Sequence, residues 1–130
     1  MSSIRALAEV VLSVHDLPTS LAFYRDVLGL KVISPPEVTN PVFLQAGSGP
    51  AYISNIVALV QLPSDAPSFT APRPLDHLAF EIDVVAFGAE QARLQNLGFE
   101  VRFGQHPLFP SRTMYITDPD GNEVELICPA

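Results

Sequence analysis

The chain has 130 residues, 48% of them hydrophobic, which suits one compact domain or two small halves sharing a core and excludes a disordered chain. Its formal charge is −7 and Lys31 is its only lysine, so phosphate backbones are repelled and nucleic acid is not an expected partner. The longest apolar runs, such as Ile56 to Val60, are far shorter than the roughly 20 residues of a membrane helix, and the N-terminal stretch lacks the apolar core of a secretory signal, so a soluble cytoplasmic protein with no membrane partner is expected.

Leu7 to Val14 reads as the first strand. Asp16 is placed to cap a helix that tolerates Pro18 in its first turn, with Leu17, Leu21, Tyr24 and Leu28 at helical spacing and Gly29 as the stop. Lys31 to Ile33, Val42 to Gln45 and Asn55 to Leu62 follow as three strands separated by Pro- and Gly-bearing turns. Pro63 to Pro74 carries four prolines, which stiffen it and remove ladder donors, so it reads as a linker. Leu75 to Ile82 is then a strand. Val85 to Leu97 is a helix with Phe87, Leu94 and Leu97 on one side, ended by Gly98. Phe99 to Phe103, Arg112 to Thr117 and Glu123 to Cys128 are three more strands.

The order of elements repeats. A shift of 68 lays Glu9 on His77 and Val14 on Ile82; 69 lays Gly29 on Gly98 and Val32 on Val101; 67 lays Asn55 on Asn122 and Leu59 on Leu126. Offsets that differ by single residues are what small loop insertions produce. The expected fold is α+β: two tandem βαβββ modules, residues 1–62 and 75–130 around the linker 63–74, in one domain spanning 1–130, with curved mixed sheets around a central cleft and the helices outside.

Alternation along the strands then sorts the side chains. Val10, Leu12 and Val14 form one apolar face of the first strand, and Leu78, Phe80 and Ile82 form that of its counterpart. Glu9 and His77 fall on the opposite faces at equivalent positions, and Glu125 falls on the face opposite Val124, Leu126 and Cys128 in the last strand, while Tyr115 opposes Met114 and Ile116 in the strand before it. A histidine and carboxylates converging in a cleft suit a divalent metal or acid–base work. Singly, each has an ordinary reading: Glu9 as a solvated terminal residue, His77 as a structural histidine bonded to Asp76, Glu125 as the wet face of an edge strand. His15 and His106 read as exposed turn and loop residues. Cys128 is the only cysteine, so no internal disulfide or cysteine-rich zinc site is possible. No nucleophilic triad or Gly-rich phosphate loop is present. "DPDGN" at 118–122 lacks the rest of a calcium loop and reads as a hairpin turn that sets the register of Glu125.

The segments "VVLSVHDLPTSLAFYRDVLGLKV" at 10–32, "DHLAFEI" at 76–82 and "TMYITDPDGNEVELI" at 113–127 resemble the vicinal-oxygen-chelate superfamily: glyoxalase I, extradiol dioxygenases, methylmalonyl-CoA epimerase, fosfomycin-resistance transferases and bleomycin-resistance proteins. The resemblance implies metal ligands at Glu9, His77 and Glu125, of which the first departs from the usual His or Gln. A further family ligand position falls near Ala58, which cannot coordinate. Lacking a second histidine, the set does not meet the dioxygenase pattern. The expected function is a glyoxalase-like, metal-dependent lyase or isomerase that takes a proton from the carbon next to a carbonyl of a small metabolite. The expected cofactor is a divalent ion such as Zn, Ni, Mn, Fe or Co; Glu125 and Glu9 are the candidate bases, and Arg112, Tyr115, Phe43 and Gln45 the candidate substrate contacts. The competing readings are a metal-free, bleomycin-resistance-like protein that sequesters a small cationic compound in an acidic pocket, and a dioxygenase-type member. A homodimer is expected, since half-open sheets need their edges covered.

Overall fold

The computed structural model of the chain describes residues 2–47 and 53–130. The chain divides inside the proline-rich segment into two compact units, one ending at Ser68 and the other beginning at Phe69.

In the first unit β1 (Glu9–Val14) runs parallel to β4 (Ile56–Gln61), β3 (Val42–Gln45) runs antiparallel to β4, and the short β2 (Lys31–Val32) forms the far edge. A parallel pair requires a long crossover, and the segment after β1 supplies its helix. α1 covers Leu17–Ala22, and a wider π-helical turn continues through Phe23–Val27, where the Phe23 carbonyl accepts the N–H of Leu28. That bulge rotates the buried stripe. Phe23 and Tyr24 both enter the core, whereas Leu21 and Leu28, expected on the same stripe, are only half-buried. Asp16 occupies the cap position without bonding the backbone; it accepts the Thr19 hydroxyl at 2.7 Å. The first helical N–H is met instead from β4, where Gln61 Oε1 accepts the N–H of Leu17 at 2.7 Å and its amide donates to the His15 carbonyl. Leu12, Val14, Leu44, Val57 and Leu59 are buried beside Tyr24 in this core.

The second unit repeats the arrangement with β5 (His77–Glu81) parallel to β8 (Glu123–Pro129), β7 (Ser111–Thr117) antiparallel to β8, and β6 (Arg102–Gly104) at the edge. The registers agree as well. Glu9 pairs with Ile56 in one sheet and His77 with Glu123 in the other, so the repeat read from the sequence is a repeat of strand pairing. α2 (Phe87–Asn96) follows a single 3-10 turn, Val84–Ala86, and buries Phe87 and Leu94. Leu97, expected beside them, is 55% exposed because it lies past the last helical turn. The strand expected at Phe99 to Phe103 begins only at Arg102, because Gly98 at φ +95 and the residues after it are still turning out of the helix. Met114, Ile116, Val124 and Leu126 are the buried face beneath α2, each worth about 1.5–3 kcal/mol of apolar burial.

The two halves of the proline-rich segment are each tied to their own unit. Pro67 accepts a hydrogen bond from the His15 ring in the first. In the second, the Arg73 guanidinium lies over the Phe69 ring, donates to Asn122 Oδ1 at 2.8 Å and donates to the Asp120 carbonyl. Asn122 and Asp120 belong to the β7–β8 turn, which Asp118 closes by accepting the N–H groups of Asp120 and Asn122. Gly121 stands in this turn at φ +84, where a Cβ would come within 3.2 Å of the Arg73 guanidinium. Gly121→Ala is therefore expected to lower stability by about 1–2 kcal/mol, the left-handed penalty for an L residue. Urea unfolding of the variant checks this, and an unchanged midpoint would contradict it.

Candidate functional site

β5 and β8 bring two of the three expected metal ligands together. His77 opens β5 and Glu125 lies on β8 one row further on, opposite Ala79, so both side chains stand on the sheet face away from α2. His77 Nε2 is 3.2 Å from Glu125 Oε1, and His77 Nδ1 is 2.7 Å from Asp76 Oδ2. A carboxylate can only accept, so the short contact assigns the Nδ1 proton to the bond with Asp76. In the neutral ring Nε2 then carries a lone pair, and it faces a carboxylate oxygen. Two electron-rich atoms at this separation need a positive centre: a proton that makes the ring imidazolium, or a cation beside both.

Burial sharpens the requirement. Glu125 is 1% exposed, and its Oε2 has no hydrogen-bond partner. An unpaired buried carboxylate oxygen is costly. A divalent ion would meet that cost, and an imidazole nitrogen beside a carboxylate oxygen is a donor pair that such ions take. Asp76 holds the far side of the ring, as a carboxylate commonly does behind a metal-binding histidine. On this chemistry His77 and Glu125 fit a metal. Among the described residues no group of three or more His, Cys, Asp or Glu side chains gathers as a metal cage. Glu9, the third expected ligand, opens β1 in the first unit, exposed on the same face as Val11 and Ser13.

Tyr115 pairs with Glu125 across the β7–β8 ladder, and its ring stands edge-on to His77 with centroids 6.1 Å apart. Burial first, and then the charge of Glu125 and a hydrogen bond to its carboxylate, hold its phenol above the ordinary value of 10.0, so it remains a donor at neutral pH. Arg112 is different. Strand parity turns it to the opposite face, where its guanidinium lies 4.2 Å from the centre of the Phe87 ring. Arg112, expected as a substrate contact, thus stands on the α2 side of the sheet, opposite the face that carries Glu125. Phe43 and Gln45 lie half-buried on β3 of the first unit, where Phe43 pairs with Ala58 and Gln45 donates weakly to the Ser54 carbonyl at 3.4 Å. Ala58, 1% exposed, holds in β4 the register that Glu125 holds in β8, so the first module presents a methyl where the second presents a carboxylate.

A pocket of about 480 Å³ opens over this face of the second unit, lined by His77, Glu81, Glu125 and Ile127 and by His106 and Phe109 of the β6–β7 loop. His106, expected to be an exposed loop residue, is half-buried against this pocket. Neither it nor Phe109 is legible in the sequence as a pocket residue, because a loop has no period that assigns a face.

Two βαβββ sheets of like register, one carrying a histidine–carboxylate pair on its open face, define a class of ligand-binding scaffold. The profile of the Glyoxalase/Bleomycin resistance protein/Dioxygenase superfamily matches residues 6–126. The chain belongs to this superfamily. It is 32% identical over 127 residues to lactoylglutathione lyase of Salmonella typhimurium, covering 93% of this chain and 90% of that enzyme. It is 26% identical over 126 residues to the metallothiol transferase FosB of Lysinibacillus sphaericus, covering 95% and 82%. A solved glyoxalase/dioxygenase from Nostoc punctiforme superposes with a TM-score of 0.75 over 98% of this chain and 93% of its own, at 22% identity.

Proposed function

We propose that the protein is a metal-dependent enzyme of the glyoxalase kind, taking a proton from the carbon next to a carbonyl of a small metabolite. The observation that carries this reading is the 3.2 Å approach of His77 Nε2 to Glu125 Oε1, with the other Glu125 oxygen buried and without a hydrogen-bond partner. His77 and Glu125 would hold the ion. A divalent ion bound there acts as a Lewis acid on a carbonyl oxygen. Asp76 keeps the His77 ring in the tautomer that leaves Nε2 free. Glu125, buried on β8, would take the substrate proton once released from the ion. Tyr115 offers a protonated phenol beside it. The similarity to a lactoylglutathione lyase supports a lyase or isomerase over oxygen-dependent ring cleavage.

A second reading has its own observation. The pocket wall has carboxylates and apolar side chains and, among the described residues, no lysine or arginine, which suits metal-free sequestering of a cationic compound. Deuterium exchange separates the two. Protein loaded with zinc, nickel or manganese is expected to exchange the hydrogen next to the carbonyl in a panel of neutral dicarbonyl compounds, and metal-stripped protein is not. Absence of exchange with every ion, together with tight metal-independent binding of a cationic drug, would replace the enzyme reading with the sequestering one.

A further inference from the structure

The β6–β7 loop contains a histidine whose hydrogen bonding is settled by its own backbone. His106 Nδ1 accepts the N–H groups of Leu108 and Phe109, both at 3.1 Å. Backbone N–H groups only donate, so Nδ1 carries no proton in this arrangement and the neutral ring holds its proton on Nε2. No hydrogen bond is made to His106 Nε2 by the described residues, and the ring lines the pocket. The imidazole is thus a fixed donor rather than a base. It is also stacked on Phe109, with centroids 4.7 Å apart and planes 29° apart, and Phe109 itself is 56% exposed. An aromatic pair held rigid by two backbone hydrogen bonds, with an apolar face in water, is a surface prepared for another flat group.

The charges around it limit what that group carries. Glu81 and Glu125 line the same pocket, and no lysine or arginine does among the described residues. With no ion bound, an anionic ligand would meet carboxylates and no basic side chain to offset them. We propose that the His106–Phe109 pair is the recognition arm of this pocket, and that it takes a neutral or cationic compound with a flat apolar ring next to a carbonyl oxygen. The ring stacks on Phe109 and the oxygen accepts from His106 Nε2. This rests on the pocket at His77 and Glu125 being the working site, and it names the class of compound that enters it.

Methyl benzoylformate and benzoylformate test the proposal as probes, since they share a ring and two adjacent carbonyls and differ by one negative charge. Calorimetry on the full chain stripped of metal is expected to show the ester binding at least about tenfold more tightly than the acid. Phe109→Ala and His106→Phe, the latter keeping the stack and removing the donor, are each expected to weaken the ester about tenfold while zinc affinity stays at the wild-type value. Circular dichroism confirms that the variants are folded. Equal or tighter binding of the acid, or wild-type ester affinity in both variants, overturns the proposal. Failure of the wild-type protein to bind zinc, with loop-dependent ester binding retained, would instead overturn the metal-dependent reading and leave this one standing.

Discussion

His77→Ala is expected to weaken zinc or nickel binding by at least about a hundredfold, and Asp76→Asn by about ten- to a hundredfold. The two magnitudes differ because the roles differ. His77 Nε2 is a donor atom in its own right, and it is the imidazole nitrogen that stands 3.2 Å from Glu125. Asp76 touches only Nδ1, at 2.7 Å, and is exposed. Its replacement by asparagine allows the amide to donate to Nδ1, which moves the ring proton to Nε2 and closes the lone pair that the site depends on. The ring stays in place and its polarity reverses. Calorimetry on metal-stripped protein measures both, and equal affinities for wild type and His77→Ala would refute the site.

Glu125→Gln is expected to lower metal-dependent hydrogen exchange by a factor of about 10²–10⁴, the span of a general base, and to leave the metal-free fold within about 1 kcal/mol of wild type. The second half is the more diagnostic. In the wild-type chain Glu125 Oε1 lies 3.2 Å from His77 Nε2 and Oε2 is buried without a hydrogen-bond partner. The amide NH2 of glutamine donates to His77 Nε2 and removes the buried charge at nearly the same volume. A residue that served the fold would lose stability on this change; a residue held ready for a cation and a proton would lose only activity. Exchange kinetics and urea unfolding on the same preparation separate these outcomes, and a fold that collapses with the charge removed would make Glu125 structural.

Hydrophobic alternation and turn residues determined most of the architecture from the sequence. Both copies of strand, helix and three strands are legible because Gly29, Gly98 and Gly121 punctuate the chain where φ is positive and because alternate residues of a strand share a face. The same parity places His77, Glu125 and Tyr115 on one side of their sheet. What it could not determine was set by contacts distant in sequence. The π-helical turn brings Phe23 into the core beside Tyr24, and Gln61 on β4 replaces Asp16 as the partner of the first helical N–H. Nearness in sequence puts Arg112 beside the pocket, and the packing of α2 puts it over Phe87 instead. His106 and Phe109 enter the pocket through a loop whose path follows its own hydrogen bonds rather than any period. Strand periodicity encodes which face a residue takes. Burial, tautomer and an unmet hydrogen bond arise only when several strands close around one side chain, and Glu125 between β5 and β7 is where the tertiary structure turned an alternating glutamate into a candidate site.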